Sequence, residues 1–125
     1  MQEQVRRFNA GAEYYLDERC YINELSNIGD DPDVSIAQAR VPSGVTTRLH
    51  RLQGITERYV ILSGTGNVEI GNLYAQHVAA GDVVLIPPGC PQRIMNTGTG
   101  DLVFLVICSP RFVQSAYEDI EQLPA

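Results

Sequence analysis

The chain has 125 residues, of which 44% are hydrophobic and 19% are charged. This composition is typical of one globular domain and differs from that of disordered chains, which have few hydrophobic residues and high charge. The net charge is −6, and the nine basic residues are all arginine and form no basic stripe. Nucleic acid and anionic membrane surfaces are therefore not expected partners.

Three cysteines are present, Cys20, Cys90 and Cys108, and no two of them form a CxxC pair. An odd number of widely spaced cysteines favours a reducing compartment. No apolar run reaches the roughly 18 residues that a membrane-spanning helix needs. We therefore expect a cytoplasmic protein.

Short β-rich runs, separated by glycine or proline every eight to twelve residues or so, predict an all-β sandwich or barrel. Residues 1–33 contain one or two edge strands. The core barrel, about 34–109, contains predicted strands at 34–41, 45–52, 57–62, 67–70, 73–78, 83–86, 92–95 and 102–108. In the tail, 110–125, the spacing of Val113, Tyr117 and Ile120 predicts a short amphipathic helix over 112–122. The whole chain, 1–125, is interpreted as one domain.

Polar side chains are predicted to meet inside the barrel. Side chains alternate between the two faces of a strand, so His50 shares a face with Arg48, and Glu57 shares one with Tyr59. If a turn over 53–56 closes a hairpin, these two pairs face each other. Together with Gln92, an imidazole, a carboxylate and an amide oxygen would form a mixed site for manganese, iron, nickel or zinc.

The glycines, prolines and polar residues of two segments follow a known pattern. The first segment contains Gly44, His50, Glu57 and Gly64, and the second contains Gly81, Pro87, Gly89 and Asn96. At these spacings the chain resembles the cupins, in particular small single-domain cupins of the cupin 2 type. Two positions that are histidine in the cupin pattern are Leu52 and Gln92 here. Residues 56–66 also resemble, more weakly, the cupin barrel of mannose-6-phosphate isomerases.

The resemblance implies a jelly-roll barrel, commonly dimeric, that holds a divalent metal with three histidines and one glutamate. It assigns His50 and Glu57 as metal ligands and Gln92 as a substituted one, whereas Leu52 cannot bind a metal. We accordingly expect an all-β, single-domain cupin jelly roll with a short C-terminal helix, which forms a homodimer.

Each candidate residue also has a simpler interpretation. His50 could form hydrogen bonds with Glu57 or Gln92 in a barrel without metal. Glu57 could pair with Arg48 or Arg58, because a buried carboxylate needs a partner. Gln92 could be a polar residue of the barrel rim.

Three further residues have more than one interpretation or a structural one. Tyr59 could donate a proton or simply pack against the barrel wall. Cys90 is expected to be a small loop residue and His77 to face solvent.

The leading functional hypothesis is a metal-dependent isomerase or lyase for a small anionic or polyhydroxylated molecule. In it, Glu57 and Tyr59 are catalytic, and Arg48 and Gln92 bind the substrate. His50, Glu57 and Gln92 hold the metal, which acts as a Lewis acid. Three alternatives stay open: a metal-free, non-catalytic cupin that binds a sugar-like ligand, an iron-dependent dioxygenase, and a structural scaffold.

Overall fold

A computed structural model describes residues 1–121 and contains two antiparallel β-sheets with very little helix. The strands in chain order are β1 Tyr14–Leu16, β2 Cys20–Ser26, β3 Ser35–Val41, β4 His50–Leu52, β5 Thr56–Ser63, β6 Thr65–Ile70, β7 Gln76–Ala79, β8 Val83–Ile86, β9 Gln92–Asn96, β10 Leu102–Ser109 and β11 Tyr117–Asp119. Two single-turn 3-10 helices lie at Ala10–Ala12 and Gln114–Ala116. The predicted all-β fold is confirmed.

The two sheets enclose a common core. One has the order β1-β2-β3-β10-β5-β8 and the other β11-β4-β9-β6-β7. Alternate residues of β5 point inward, so Glu57, Tyr59 and Ile61 are buried, and β9 contributes Gln92 and Ile94 in the same way. The period-2 alternation of the sequence therefore places polar and apolar side chains together inside the barrel.

The predicted hairpin between residues 50 and 57 is wrong. β4 pairs with β9 and β11, whereas β5 pairs with β8 and β10, so the two strands belong to opposite sheets. The connection contains Gly54 with a φ of +72°, a conformation that glycine adopts without steric cost. His50 and Glu57 consequently face each other across the lumen rather than across a turn.

The predicted C-terminal helix over 112–122 is also wrong. The described part of this segment forms the 3-10 turn Gln114–Ala116 and strand β11, which pairs with β4 in the register Tyr117↔Leu52 and Asp119↔His50. An isolated helix of this length is marginal in water, while the edge of β4 offers backbone hydrogen bonds and an apolar surface. Residue 122 of the predicted helix lies outside the described residues.

Glycine at two positions lets the chain cross from one sheet to the other. At Gly64 the φ is +85°, and a Cβ would lie 2.6 Å from the carbonyl oxygen of Asp101. At Gly66 a Cβ would lie 2.8 Å from the carbonyl oxygen of Met95. These close backbone approaches explain why the turn between β5 and β6 needs glycines.

The exterior agrees with some of the expectations and leaves others open. His77 is exposed, as predicted. Within residues 1–121 no helix is long and apolar enough to cross a membrane. On β8, at a sheet edge, Val83 and Leu85 are exposed by 56% and 66%. The homodimer and the cytoplasmic location stay predictions.

Candidate functional site in the barrel lumen

A cavity of about 580 Å³ opens between the two sheets, at the end of the barrel where β4, β11 and the β1–β2 turn meet. Its polar lining includes Glu18, His50 and Glu57, and its aromatic lining includes Tyr59, Phe104 and Tyr117. This size is within the range of small-molecule sites, which are usually largely apolar with a few converging polar groups.

His50 is held in one orientation by three neighbours. Its Nδ1 lies 2.7 Å from the carbonyl oxygen of Arg48, and because a carbonyl only accepts, Nδ1 carries the hydrogen. Its Nε2 lies 3.1 Å from Oε1 of Glu18, and the ring of Tyr117 stacks on the imidazole at 5.1 Å between centroids. The side chain is 3% exposed. Nε2, the nitrogen that faces the lumen, therefore lies within hydrogen-bond distance of the Glu18 carboxyl group.

Glu57, Gln92 and Tyr59 form a directed chain of hydrogen bonds. The Tyr59 hydroxyl donates to Oε1 of Gln92, and Nε2 of Gln92 donates to Oε1 of Glu57. Gln92 is completely buried, and Tyr59 packs against Phe104 with ring centroids 4.6 Å apart. Because a hydroxyl donor fixes which end of the amide faces it, Tyr59 orients Gln92 and, through it, Glu57.

The geometry agrees with a family assignment. Residues 38–108 match the Cupin_2 family, described as a cupin domain. The chain belongs to the cupin family. A relative at family level is the uncharacterized protein MJ1618 of Methanocaldococcus jannaschii, which is 35% identical over 112 residues, or 88% of this chain and 86% of the relative.

Other relatives of this cupin have names that refer to ligands or activities. The oxalate-binding protein of Thermotoga maritima is 38% identical over 71 residues, which are 57% of this chain and 58% of that protein. The crystal structure of a predicted oxalate decarboxylase from Thermotoga maritima is 29% identical, covers 73% of this chain and 80% of its own, and has a TM-score of 0.67.

More distant structures share the fold alone. A Klebsiella pneumoniae protein with a double-stranded β-helix domain has a TM-score of 0.77 at 18% identity and covers 95% of this cupin and 100% of its own chain. Pac13, described as a nucleoside dehydratase, has the same TM-score at 14% identity over 97% and 95% of the two chains.

The side chains of this cupin do not fit a divalent metal as they are arranged. Oε1 of Gln92 accepts from Tyr59, Oε1 of Glu57 accepts from Gln92, and Nε2 of His50 faces Glu18. Within residues 1–121, no three His, Cys, Asp or Glu side chains are grouped to hold a metal ion. The metal centre built on His50, Glu57 and Gln92 stays a prediction, and the hydrogen bonds give these atoms other partners.

Leu52, at the position of a missing histidine, is 3% exposed and packs in an apolar cluster with Ile55, Cys108 and Ala116. Its side chain also lines the cavity. An imidazole at this position would lose these apolar contacts. The residues around position 52 are therefore packed for leucine and not for a histidine ligand.

Two buried carboxyl groups have unusual acidities. Burial raises the pKa of Glu18 to about 7, with a further contribution from the charge of Asp119. Burial also raises the pKa of Glu57 to about 7, against the lowering effects of His50 and of the hydrogen bond from Gln92. Desolvation disfavours the charged form of a carboxyl group. Both groups can therefore gain or lose a proton near neutral pH.

The guanidinium of Arg48 is already paired. Its Nε lies 2.6 Å from Oδ2 of Asp119, and its Nη1 lies 3.3 Å from Oε2 of Glu121. The sequence predicts that Arg48 binds the substrate or pairs with Glu57. In the structure, the ion pairs of Arg48 hold the C-terminal segment beside the cavity. Substrate binding by Arg48 stays a prediction.

The structure brings together the predicted His50, Glu57, Gln92 and Tyr59, with His50 and Gln92 as neighbours in the β4–β9 register. The simpler interpretations of His50 and Glu57 named the wrong partners, because the structure pairs His50 with Glu18 and Glu57 with Gln92.

Sequence reasoning missed Glu18 and Tyr117. Glu18 lies in the short turn between β1 and β2. The one local feature that could have indicated it is an acidic residue two positions before Cys20, which is buried. Tyr117 lies in the segment that the sequence predicts as a helix.

Cys90 does not line the cavity. Its Sγ lies beside Gly71, 3.1 Å from the position that a Cβ would take there.

Proposed function

We propose that this cupin binds a small polar molecule in its lumen and moves protons on it without a metal, in a reaction of the isomerase or lyase type. The observation that supports this most directly is that two carboxyl groups, Glu18 and Glu57, line the lumen together with His50, with Glu18 Oε1 3.1 Å from His50 Nε2. General acids and bases work best when their pKa lies near the working pH, and both carboxyl groups titrate near 7.

The roles follow from the hydrogen bonds of each group. Glu57 is held by Gln92 through one oxygen, and its other oxygen accepts no hydrogen bond from residues 1–121. We assign it as the base that accepts a proton from carbon. Protonated Glu18, joined to His50, returns a proton to a departing hydroxyl or to the neighbouring carbon. Tyr59 acts as a positioning residue, since its hydroxyl touches Gln92.

The relatives support lumen chemistry but not one substrate. The Thermotoga maritima relative is named for oxalate and Pac13 for a nucleoside. An oxalate dianion in this lumen would lie beside two carboxyl groups while the nearest arginine is paired elsewhere. Like charges in a low-dielectric site repel strongly. We therefore favour a substrate that is not an anion, and the likeness to mannose-6-phosphate isomerases stays a prediction.

The experiment uses protein treated with a chelator and a panel of small polar molecules screened by thermal shift. Compounds that stabilise the protein are then incubated in D₂O, and deuterium incorporation at carbon or elimination is followed by NMR. We expect activity in the wild type and its loss in Glu57→Gln. Glu69→Gln, which changes an exposed carboxyl group of β6 paired with Arg93, serves as the matched control and should stay active.

Activity that requires added manganese, iron, nickel or zinc would overturn the metal-independent reaction, and activity that persists in Glu57→Gln would overturn the role of Glu57. A dioxygenase would need iron and is tested by the same metal additions.

A second candidate is a non-catalytic binding protein. Within the described residues, every fully buried side-chain nitrogen and oxygen has a hydrogen-bond partner, so these atoms are satisfied without a substrate. Tight binding of a compound with no deuterium incorporation and no product would support this candidate.

A further inference from the structure

The charges that line the lumen are mostly negative. Five carboxyl groups line it, from Asp17, Glu18, Glu24, Glu57 and Asp119, against the guanidinium of Arg48 and the imidazole of His50. Arg48 is paired with Asp119 and with Glu121. Four carboxyl groups therefore remain with a single imidazole to balance them. Clefts lined by one sign of charge concentrate ligands of the opposite sign.

The negative groups are arranged from the entrance inward. Asp17 and Glu24 are exposed, the side chain of Glu18 is 17% exposed, and Glu57 is buried. A cation that enters would meet carboxylates along its whole path, and an anion would be repelled at each step.

Five aromatic rings are also part of the wall, together with aliphatic side chains. Tyr14, Tyr59, Phe104, Phe112 and Tyr117 all line the cavity. The face of an aromatic ring carries partial negative charge and attracts ammonium groups, which are less strongly hydrated when they carry carbon substituents. A wall of rings combined with carboxylates fits an organic cation better than a hydrated metal ion, which takes oxygen and nitrogen ligands in a fixed geometry.

One acceptor in the buried part is open to the lumen. Glu57 is 6% exposed, and Gln92 donates to only one of its two oxygens. The other oxygen has no partner within residues 1–121, and no buried side-chain oxygen of the described chain is left unpaired, so this oxygen reaches the cavity. It can accept a hydrogen bond from an N–H group of a bound molecule.

We propose that the molecule bound in the lumen carries an organic ammonium group, which the ionised carboxyl group of Glu57 attracts and which rests on the rings of Tyr59 and Tyr117. This inference names the chemical class of the ligand and rests on the proposed function, because it concerns the same site. An amine agrees with three features of the described lining: it has carboxylates, it has aromatic rings, and its one guanidinium, that of Arg48, is already paired.

The test compares pairs of probes that have the same shape and differ in charge: 2-phenylethylamine with 2-phenylethanol, and glucosamine with glucose. Binding to the intact chain is measured by calorimetry near neutral pH, with oxalate as the anionic probe. A charge-assisted hydrogen bond is worth about ten-fold or more in affinity. We therefore expect at least one amine to bind about ten-fold more tightly than its alcohol partner, and oxalate not to bind.

Variants show whether the carboxylates are responsible. Glu57→Gln should remove most of the difference between an amine and its alcohol, and Glu69→Gln should retain it. If Glu57→Gln fails to fold by circular dichroism, Glu24→Gln replaces it and should reduce the preference for the amine, more strongly at low salt.

Equal affinity of amine and alcohol in both pairs, binding of oxalate, or no binding of either amine would overturn the inference. The outcome is separate from that of the proposed function. Amine binding without proton exchange would leave this inference standing and refute the reaction, whereas proton exchange on a neutral compound that excludes amines would do the reverse.

Discussion

Glu57→Gln should stabilise the protein at alkaline pH. The wild-type carboxyl group has its pKa raised from 4.5 to about 7, chiefly by burial. Between these two pH values the folded state keeps a proton that the unfolded state has lost. The free energy of unfolding of the wild type therefore falls as pH rises through this window, and the loss is complete above about pH 7.

The magnitude follows from the shift. A difference of about 2.5 pKa units, 7 minus 4.5, corresponds to about 3 kcal/mol at 1.36 kcal/mol per unit. A glutamine at this position has no charge to desolvate, and its amide oxygen can accept the hydrogen bond from Gln92. We expect Glu57→Gln to gain about 3 kcal/mol over the wild type at about pH 8 and nothing at about pH 4.5.

Urea unfolding at several pH values between about 4.5 and 8 measures this difference. Glu18, whose pKa is also raised to about 7, should keep its own contribution in the variant, so the slope should decrease rather than vanish. Carboxyl groups with lowered pKa, such as Glu118 beside Arg51, act below this window and do not interfere. The reasoning is refuted if the free energy of unfolding of Glu57→Gln falls with pH as steeply as that of the wild type and of the Glu69→Gln control.

Three more experiments test the fold and the site. Gly66→Ala should cost about 2 kcal/mol or more in urea unfolding, because the new Cβ would lie 2.8 Å from a carbonyl oxygen of β9; unchanged stability would contradict the close approach. Gln92→His together with Leu52→His should restore imidazole donors and bind zinc or manganese by calorimetry; affinity no greater than that of the wild type would mean that the two positions do not face one point. Tyr117→Ala should lower the free energy of unfolding by about 2 kcal/mol, because buried ring area is lost. Tyr117→Phe should lower it little, since the hydroxyl has no hydrogen-bond partner within the described residues; equal losses in both variants would assign the effect to the hydroxyl.

The barrel could be predicted from the sequence because its turns are encoded locally. Gly64 and Gly81 need positive φ, and Pro87 ends a short apolar strand, so the strand limits follow from neighbouring residues. The inward positions of Glu57 and Gln92 follow from alternation in the same way.

The rest of the site depends on long-range pairing. Glu18 reaches His50 across 32 positions, and Tyr117 reaches it across 67. No local pattern specifies which turn or tail closes the end of a barrel. The assignment of β11 to a helix failed for this reason: the edge of β4 decided the structure of a segment whose own preference is weak.

The β1–β2 turn and the last described residues meet beside the lumen, and this has a kinetic consequence. Arg19 Nη2 lies 2.6 Å from Glu121 Oε2, and Ile120 donates a backbone hydrogen bond to Leu49. Contacts between residues about a hundred positions apart form only after long loops have closed, which is slow. The pocket should therefore be completed late in folding, after the sheets have formed. A ligand should then slow hydrogen exchange most in β11 and in the β1–β2 turn, which meet only when the pocket is complete.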